Sequence, residues 1–533
     1  MKRGALLLTL VVASFAAACS GGGSTTLPPP PPLGFSNSSL KGQYAFIMVG
    51  ETNGDPIAPP IARIGTFTAD GNGGISGGLE LVSTASSGLQ LLTFASAPNS
   101  YLVSTDGRGG LNLTNITGTT SFSFTMISTS QGYISQTDGV TGASGTFELQ
   151  DTSAFTQNGI GGSFVFDTSG ADPSGVPDSI VGQLNLNGGA VSATFDENDG
   201  TVASGPQTAT GTYFLDATNG PTSGIGQLSF GNFLYDFVIV NARKIHLIEV
   251  PGQGAVPGAF TVGTANTQAA APANQAGFTG SFAFLTSGAG TTTSDFKAGR
   301  FSADGGGGLN SITMDEVLLG SSVAKIPRGT LSAMTYSVDT NFPGSGRVFV
   351  SFLDSTNSKP FQFIAYMASA TQGVIQDNSP GIVGDGTILA QTGSPFTGGS
   401  VAGDYAFNWT GQSNNNTTGV SAEEDFVGHV TVTNAASNNV TGAMDFSELN
   451  LADPNKVGIH DSVLSGAGLT ITGDGTNSSG RDTFVVNATN PNGGPSSTLK
   501  FTLYPVNATT MFVINTDTDH STGGVFTRQV TPP

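Results

Sequence analysis

The chain has 533 residues, a single cysteine and a formal net charge of −20, from 17 basic residues against 37 acidic ones. So acidic a surface repels nucleic acid and anionic lipid headgroups, and one cysteine permits no internal disulfide. Only 10% of residues are charged while 77 are glycine, the composition of an extracellular β protein with short strands and many turns.

Lys2 and Arg3 precede an apolar run from Ala5 to Ala18, which predicts a secretory signal peptide over 1–18. Ala16-Ala17-Ala18-Cys19 resembles the lipobox of bacterial lipoproteins, with Ala16 where that family usually has leucine. The resemblance implies cleavage before Cys19 and lipid on its sulfur and new amino terminus. Ser20 stands where retained lipoproteins carry aspartate, which implies an outer-membrane or cell-surface address. Residues 19–37, rich in Gly and Ser and then in Pro, read as a tether. No second apolar run reaches the roughly 18 residues of a membrane helix, so the lipid is the one membrane contact expected.

Four segments then open alike, at intervals of about 120 residues: Gly42-Gln43-Tyr44-Ala45-Phe46, Gly162-Ser163-Phe164-Val165-Phe166, Gly280-Ser281-Phe282-Ala283-Phe284 and Gly403-Asp404-Tyr405-Ala406-Phe407. Aromatics two apart share one face of a strand, so each copy begins by burying two rings. A second glycine follows in each copy, at Gly65, Gly182, Gly299 and Gly428. Each copy closes on a glycine and a strand, at Gly145-Thr146-Phe147, Gly258-Ala259-Phe260, Gly386-Thr387-Ile388 and Gly524-Val525-Phe526. The predicted repeats are 38–156, 157–264, 278–394 and 399–533. An Ala/Pro/Gln-rich linker at 265–277 divides the four into two pairs.

Seven or eight short strands per copy joined by Gly/Asn/Asp turns predict an all-β protein of four tandem antiparallel domains, up-and-down barrel-like, with β-sandwiches as the alternative. The opening glycine and aromatic, with the copy length, resemble the lipocalin and avidin class of barrels. The repeats are also similar to those of secreted bacterial proteins, a likeness that implies no activity.

Candidate chemistry is sparse. In TFTADGNGG, residues 66–74, Asp70 and Asn72 alternate as calcium ligands do, but Gly74 breaks the pattern, and the third copy keeps Asp304 without the amide. A hairpin turn accounts for both loops. An acid follows each such turn: Glu80, Asp196, Asp315 and Asp445. Their recurrence suits either ligand-facing groups or backbone capping. His246, His429, His460 and His520 occupy no equivalent positions, and no metal-binding spacing, nucleophile elbow or phosphate loop accompanies them. Tyr133, Tyr235 and Trp409 are the candidates for an exposed sugar-stacking face.

The resulting expectation is a lipid-anchored surface protein with a structural or adhesive role, not an enzyme, without cofactor or metal. Its partners would be the membrane through lipid, a glycan or other surface proteins, and no nucleic acid. A glycan- or small-ligand-binding lipoprotein is the alternative, and a secreted hydrolase is the least supported reading.

Overall fold

The computed structural model describes residues 34–532, apart from 53–59, 85–86, 96–98, 172–175, 201–203, 252–259, 291–293, 320–323, 327–330, 397, 416–419, 434–439, 450–458, 467–479, 490–496 and 518. The expected signal peptide, Cys19 and the tether to residue 33 lie outside these residues, as do Gly258 and Ala259.

Strands β1–β9 run from Lys41 to Leu149, β10–β17 from Gly162 to Thr267, β18–β26 from Thr279 to Ala390 and β27–β34 from Gly403 to Arg528. The second and fourth groups are closed barrels in which each strand pairs with its sequence neighbours. The first and third are nine-stranded sheets, each in an order such as β4-β3-β2-β1-β9-β8-β7-β6-β5. The up-and-down reading therefore holds, and the sandwich alternative does not.

The loops around Asp70 and Asp304 distinguish the two kinds of barrel. Asp70 Oδ1 accepts from the backbone N–H of Asn72 at 2.6 Å and of Gly74 at 3.0 Å, and Asp304 Oδ1 accepts likewise from Gly306 and Gly308. Backbone amides thus lower both carboxylates from their usual value. The turns so fixed reach across the open side of their sheets, through bridges from Gly74 to Ser100 and from Gly308 to Thr335. The Ala-Asp-Gly turn marks the two copies whose seam needs this closure.

The opening aromatics fill the interiors. Tyr44 and Phe46, Phe164 and Phe166, Phe282 and Phe284, and Tyr405 and Phe407 are all buried in the core of their own barrel. The second glycine lies under the second ring. A Cβ at Gly65 would lie 2.7 Å from the Phe46 ring, and one at Gly428 would lie 2.5 Å from that of Phe407. Only glycine leaves room for the ring to lie flat on the neighbouring strand. Before the first strand of each of the first three barrels a short turn inserts a further aromatic, Phe35, Phe155 or Phe278, into the same core. Phe35 belongs to the fold, so the tether ends before residue 37.

Two boundary readings need correction. In β17 (Phe260–Thr267) Ala265 pairs with Phe166, the place held by Phe147, Ile388 and Phe526 in the other copies. The closing strand of the second copy is therefore Gly263-Thr264-Ala265, and the segment read as a linker opens inside it. A small residue at a core position gave this strand the composition of a linker.

The barrels do not form two separate pairs. Ala62, Ile64 and Leu81 on the outside of the first pack with Ile225 and Val238 of the second. Val165 and Val181 of the second pack with Ile364 and Tyr366 of the third. Phe296 and Val317 of the third meet Tyr504 and Ile514 of the fourth. Ala406 and Val427 of the fourth then meet Ile127 and Tyr133 of the first. The four barrels close into a ring.

One hydrogen bond repeats at every junction. The residue after each closing strand is glutamine, and its Nε2 donates to a backbone carbonyl of the next barrel. Gln150 donates to Ile239 at 2.5 Å, Gln268 to Met367 at 2.9 Å, Gln391 to Pro505 at 2.7 Å and Gln529 to Met126 at 2.7 Å. The following N–H in each case, from Asp151, Ala269, Thr392 or Val530, bonds to the adjacent carbonyl of the same partner strand.

Candidate functional site: the junction acids and the barrel mouths

The four acids singled out in the sequence do not share one position. Asp196, Asp315 and Asp445 lie opposite Val181, Ala298 and Val427, the residues just before the second glycines. Glu80 lies opposite Gly65 itself. One step along a strand reverses the face, so Glu80 points into the first barrel while the other three point out of theirs.

Asp196 and Asp315 are held at junctions. Arg347 of the third barrel grips Asp196 through Nε at 2.7 Å and Nη2 at 2.8 Å, and the Tyr366 hydroxyl donates to Asp196 Oδ2 at 2.7 Å. Arg481 of the fourth barrel grips Asp315 at 2.6 and 2.7 Å, with the Tyr504 hydroxyl at 2.5 Å. Bidentate pairing of this kind fixes orientation as well as charge. At the first junction the same three places are taken by Leu81, Ile225 and Val238, which belong to one apolar cluster. At the last, Asp445 and Arg108 line a common cleft of about 340 Å³ with Asn112, Ser121 and Thr137.

Inside each barrel, at the end away from the opening turn, a polar group caps the aromatic core. In the first, Glu80 accepts from Arg63 at 2.8 Å and Asn115 at 2.7 Å. In the third, the Lys297 ammonium is buried among Asp295, Asp377 Oδ2 at 2.7 Å and Glu316 Oε1 at 3.2 Å. Lys359 reaches both oxygens of Glu316 at 2.7 Å. In the fourth, His520 Nδ1 sits 2.8 Å from Glu424 Oε1. Burial alone would lower this imidazole, but the Glu424 carboxylate overrides it and raises the group to about 9.

The second barrel differs. Asp178, Glu197 and Glu249 cap its core beside Tyr235, without a basic partner among the described residues. Glu249 Oε2 accepts from Thr261 N at 3.1 Å and Oγ1 at 3.0 Å, and Glu197 accepts from Gln207 at 3.3 Å. Asp178 Oδ1 is buried without a hydrogen-bond partner. Burial, then repulsion from Glu197 and Glu249, pushes Asp178 up to about 8, and burial pushes Glu249 up to about 7.

The remaining candidates are structural. His246 is fully buried at the first junction, neither ring nitrogen is hydrogen-bonded, and Glu148 Oε2 stands 3.8 Å from Nε2. The alternating β-strand pattern did not reveal that the outward face carrying His246 is covered. The His460 side chain lies outside the described residues. Tyr133 is buried at the last junction, Tyr235 inside the second barrel and Trp409 inside the fourth, so these three form no common stacking face. Among the described residues no three His, Asp or Glu side chains are gathered so as to hold a metal ion.

Glu80 could be counted in the sequence but not placed. Arg347, Arg481 and the four glutamines went unnoticed, although a glutamine after each closing strand was a readable signal.

No protein-family model and no curated protein matches the chain. Among solved structures, transferrin binding protein B of serogroup B Neisseria meningitidis is similar at 11% identity, over 75% of this chain and 84% of that one, with a TM-score of 0.18. An engineered family 43 glycoside hydrolase is similar at 9% identity over 88% and 93% of the two chains, with a TM-score of 0.10. Neither score supports an argument about fold or function.

Proposed function

We propose that this is a lipid-anchored extracytoplasmic protein whose ring of barrels is a rigid body for surface display or adhesion, and that it catalyses no reaction. The observation that carries this reading is the pairing of filled interiors with closed junctions. Aromatic side chains occupy the centre of every barrel, which leaves no lipocalin-like chamber among the described residues. The outer faces of the strands at the four junctions hold neighbouring barrels. A body built this way presents its loops and its rim, and resists deformation. The lipobox-like Ala16-Ala17-Ala18-Cys19 supplies the anchor and the outer-membrane or cell-surface address.

Metabolic labelling with a fatty acid analogue tests the anchor. The wild-type chain takes up label and sediments with membranes, while Cys19→Ser remains unlabelled. Label in the Cys19→Ser variant would overturn the assignment. Protease shaving of whole cells reads the exposed address.

A glycan-binding role draws on one specific observation, the cleft shared by Arg108 and Asp445, whose hydroxyl and amide lining suits a sugar. A glycan array probed with the wild-type protein and with Asn112→Ala decides it: no bound glycan removes this reading.

A further inference from the structure

The second and third barrels carry the same cap with one change. Ile180 lies between Thr168 and Glu197 on the neighbouring strands, as Lys297 lies between Thr286 and Glu316. Asp178 and Asp295 precede these residues by two positions, and Glu249 and Asp377 lie opposite the interior aromatics Tyr235 and Phe363. Three carboxylates therefore recur at three matching places. In the third barrel they surround an ammonium that the chain itself supplies.

The second barrel cannot supply one. Its only basic residues are Arg243, Lys244 and His246. They sit at or near the start of β16 (Lys244–Glu249), whereas Glu249 ends that strand at the mouth. Lys244 is engaged by Glu148 of the first barrel at 2.6 Å. Asp178 is nine-tenths buried and its Oδ1 is unpaired, while Glu197 and Asp199 are only half-buried. A buried carboxylate oxygen without a partner costs free energy unless a proton or a cation joins it, and the Ser179 backbone N–H that reaches Asp178 leaves Oδ1 in that state.

We propose that the mouth of the second barrel binds the primary ammonium group of a small amine, held by Asp178, Glu197 and Glu249 as their counterparts hold Lys297. Three N–H donors match three carboxylates. Among the described residues these acids form no group that could hold a metal ion. Asp178 at about 8 and Glu249 at about 7 hold protons near neutral pH, so an entering ammonium displaces protons and binds more tightly as pH rises.

Calorimetric titration of the full chain with butylamine, at constant ionic strength and in two buffers of different ionisation enthalpy, tests this. Saturable binding with proton release is expected, at least tenfold weaker with tetramethylammonium, which has no N–H. Asp178→Asn should weaken butylamine at least tenfold. Ile180→Lys should abolish binding and raise the melting temperature, by placing an ammonium where Lys297 has one. No butylamine binding, equal binding of tetramethylammonium, or saturable calcium binding without amine binding would each overturn the proposal. So would a folded Ile180→Lys variant that still binds. Should either variant fail to fold, Glu249→Gln replaces it with the same expected loss, and unchanged affinity there also overturns the proposal.

Discussion

Gln529 Nε2 donates to the Met126 carbonyl at 2.7 Å, joining the last barrel to the first by the bond that Gln150, Gln268 and Gln391 make to their successors. Replacing it leaves a buried carbonyl without its donor, which costs about 1–3 kcal/mol. Gln529→Ala is therefore expected to lower the melting temperature and, in small-angle scattering, to raise the radius of gyration as the ring opens. Gln391→Ala should cost as much while the chain still tethers its two barrels, so its scattering should change less.

The Asp196–Arg347–Tyr366 clasp can be compared with its apolar counterpart in the same molecule. Asp196→Leu alone removes both Asp196 bonds from the buried Arg347 guanidinium and leaves it only Asp339 Oδ2 at 3.1 Å, which is expected to cost about 3 kcal/mol. Converting all three to Leu, Ile and Val, the residues of the first junction, should recover part of that loss, because a well-packed apolar cluster replaces a buried ion pair at little net cost while Asp339 loses its guanidinium. Chemical denaturation of the single and triple variants checks both.

The junctions respond to pH in opposite senses. Burial pushes Asp385 up to about 8 and Asp167 up to about 6 at the second junction, and Asp425 and Glu51 up to about 7 at the fourth. Their folded values exceed the unfolded value of about 4, so their contribution is whole below about pH 4 and is lost as pH rises through roughly 6 to 8. His246 is buried and held well below the usual imidazole range. Its contribution is whole above about pH 6.5 and is lost as pH falls. Melting temperatures from about pH 5 to pH 9 should fall less steeply on the alkaline side in Asp385→Asn, and less steeply on the acid side in His246→Leu.

The glycine under the second ring is open to a plain test. Gly299→Ala forces the Phe284 ring, 2.7 Å from the new Cβ, off its seat, at a cost of about 1–3 kcal/mol. Adding Phe284→Leu to Gly299→Ala should relieve part of it. Denaturation midpoints of the two variants provide the measurement.

What could be read from the chain was what repeats at period two. Tyr44 and Phe46 declare a strand face by themselves, and the count of strands follows from their successors. Glu80 misled because it stands one residue nearer to Gly65 than Asp315 stands to Gly299, in hairpins that both carry a register irregularity; that single step along the strand decides the face. The junctions were hidden for a different reason. Asp196 and Arg347 are far apart in sequence, and each alone looks like a solvated charge. Ala265 hid a core strand because the position tolerates a small side chain.

A Cβ placed on Gly107 would lie 2.8 Å from Gln529 Nε2 and 2.9 Å from the Phe35 ring, so the two ends of the folded chain converge on one residue. Sequence order is then only one of four equivalent ways to thread the same object. Linking Val530 to Phe35 and reopening the backbone between Gln391 and Gly403 would preserve every inter-barrel bond except those that tie one connecting segment. By the same logic a single copy, freed from its neighbours, carries both halves of a self-complementary contact, and four such copies could assemble what one gene now encodes in tandem.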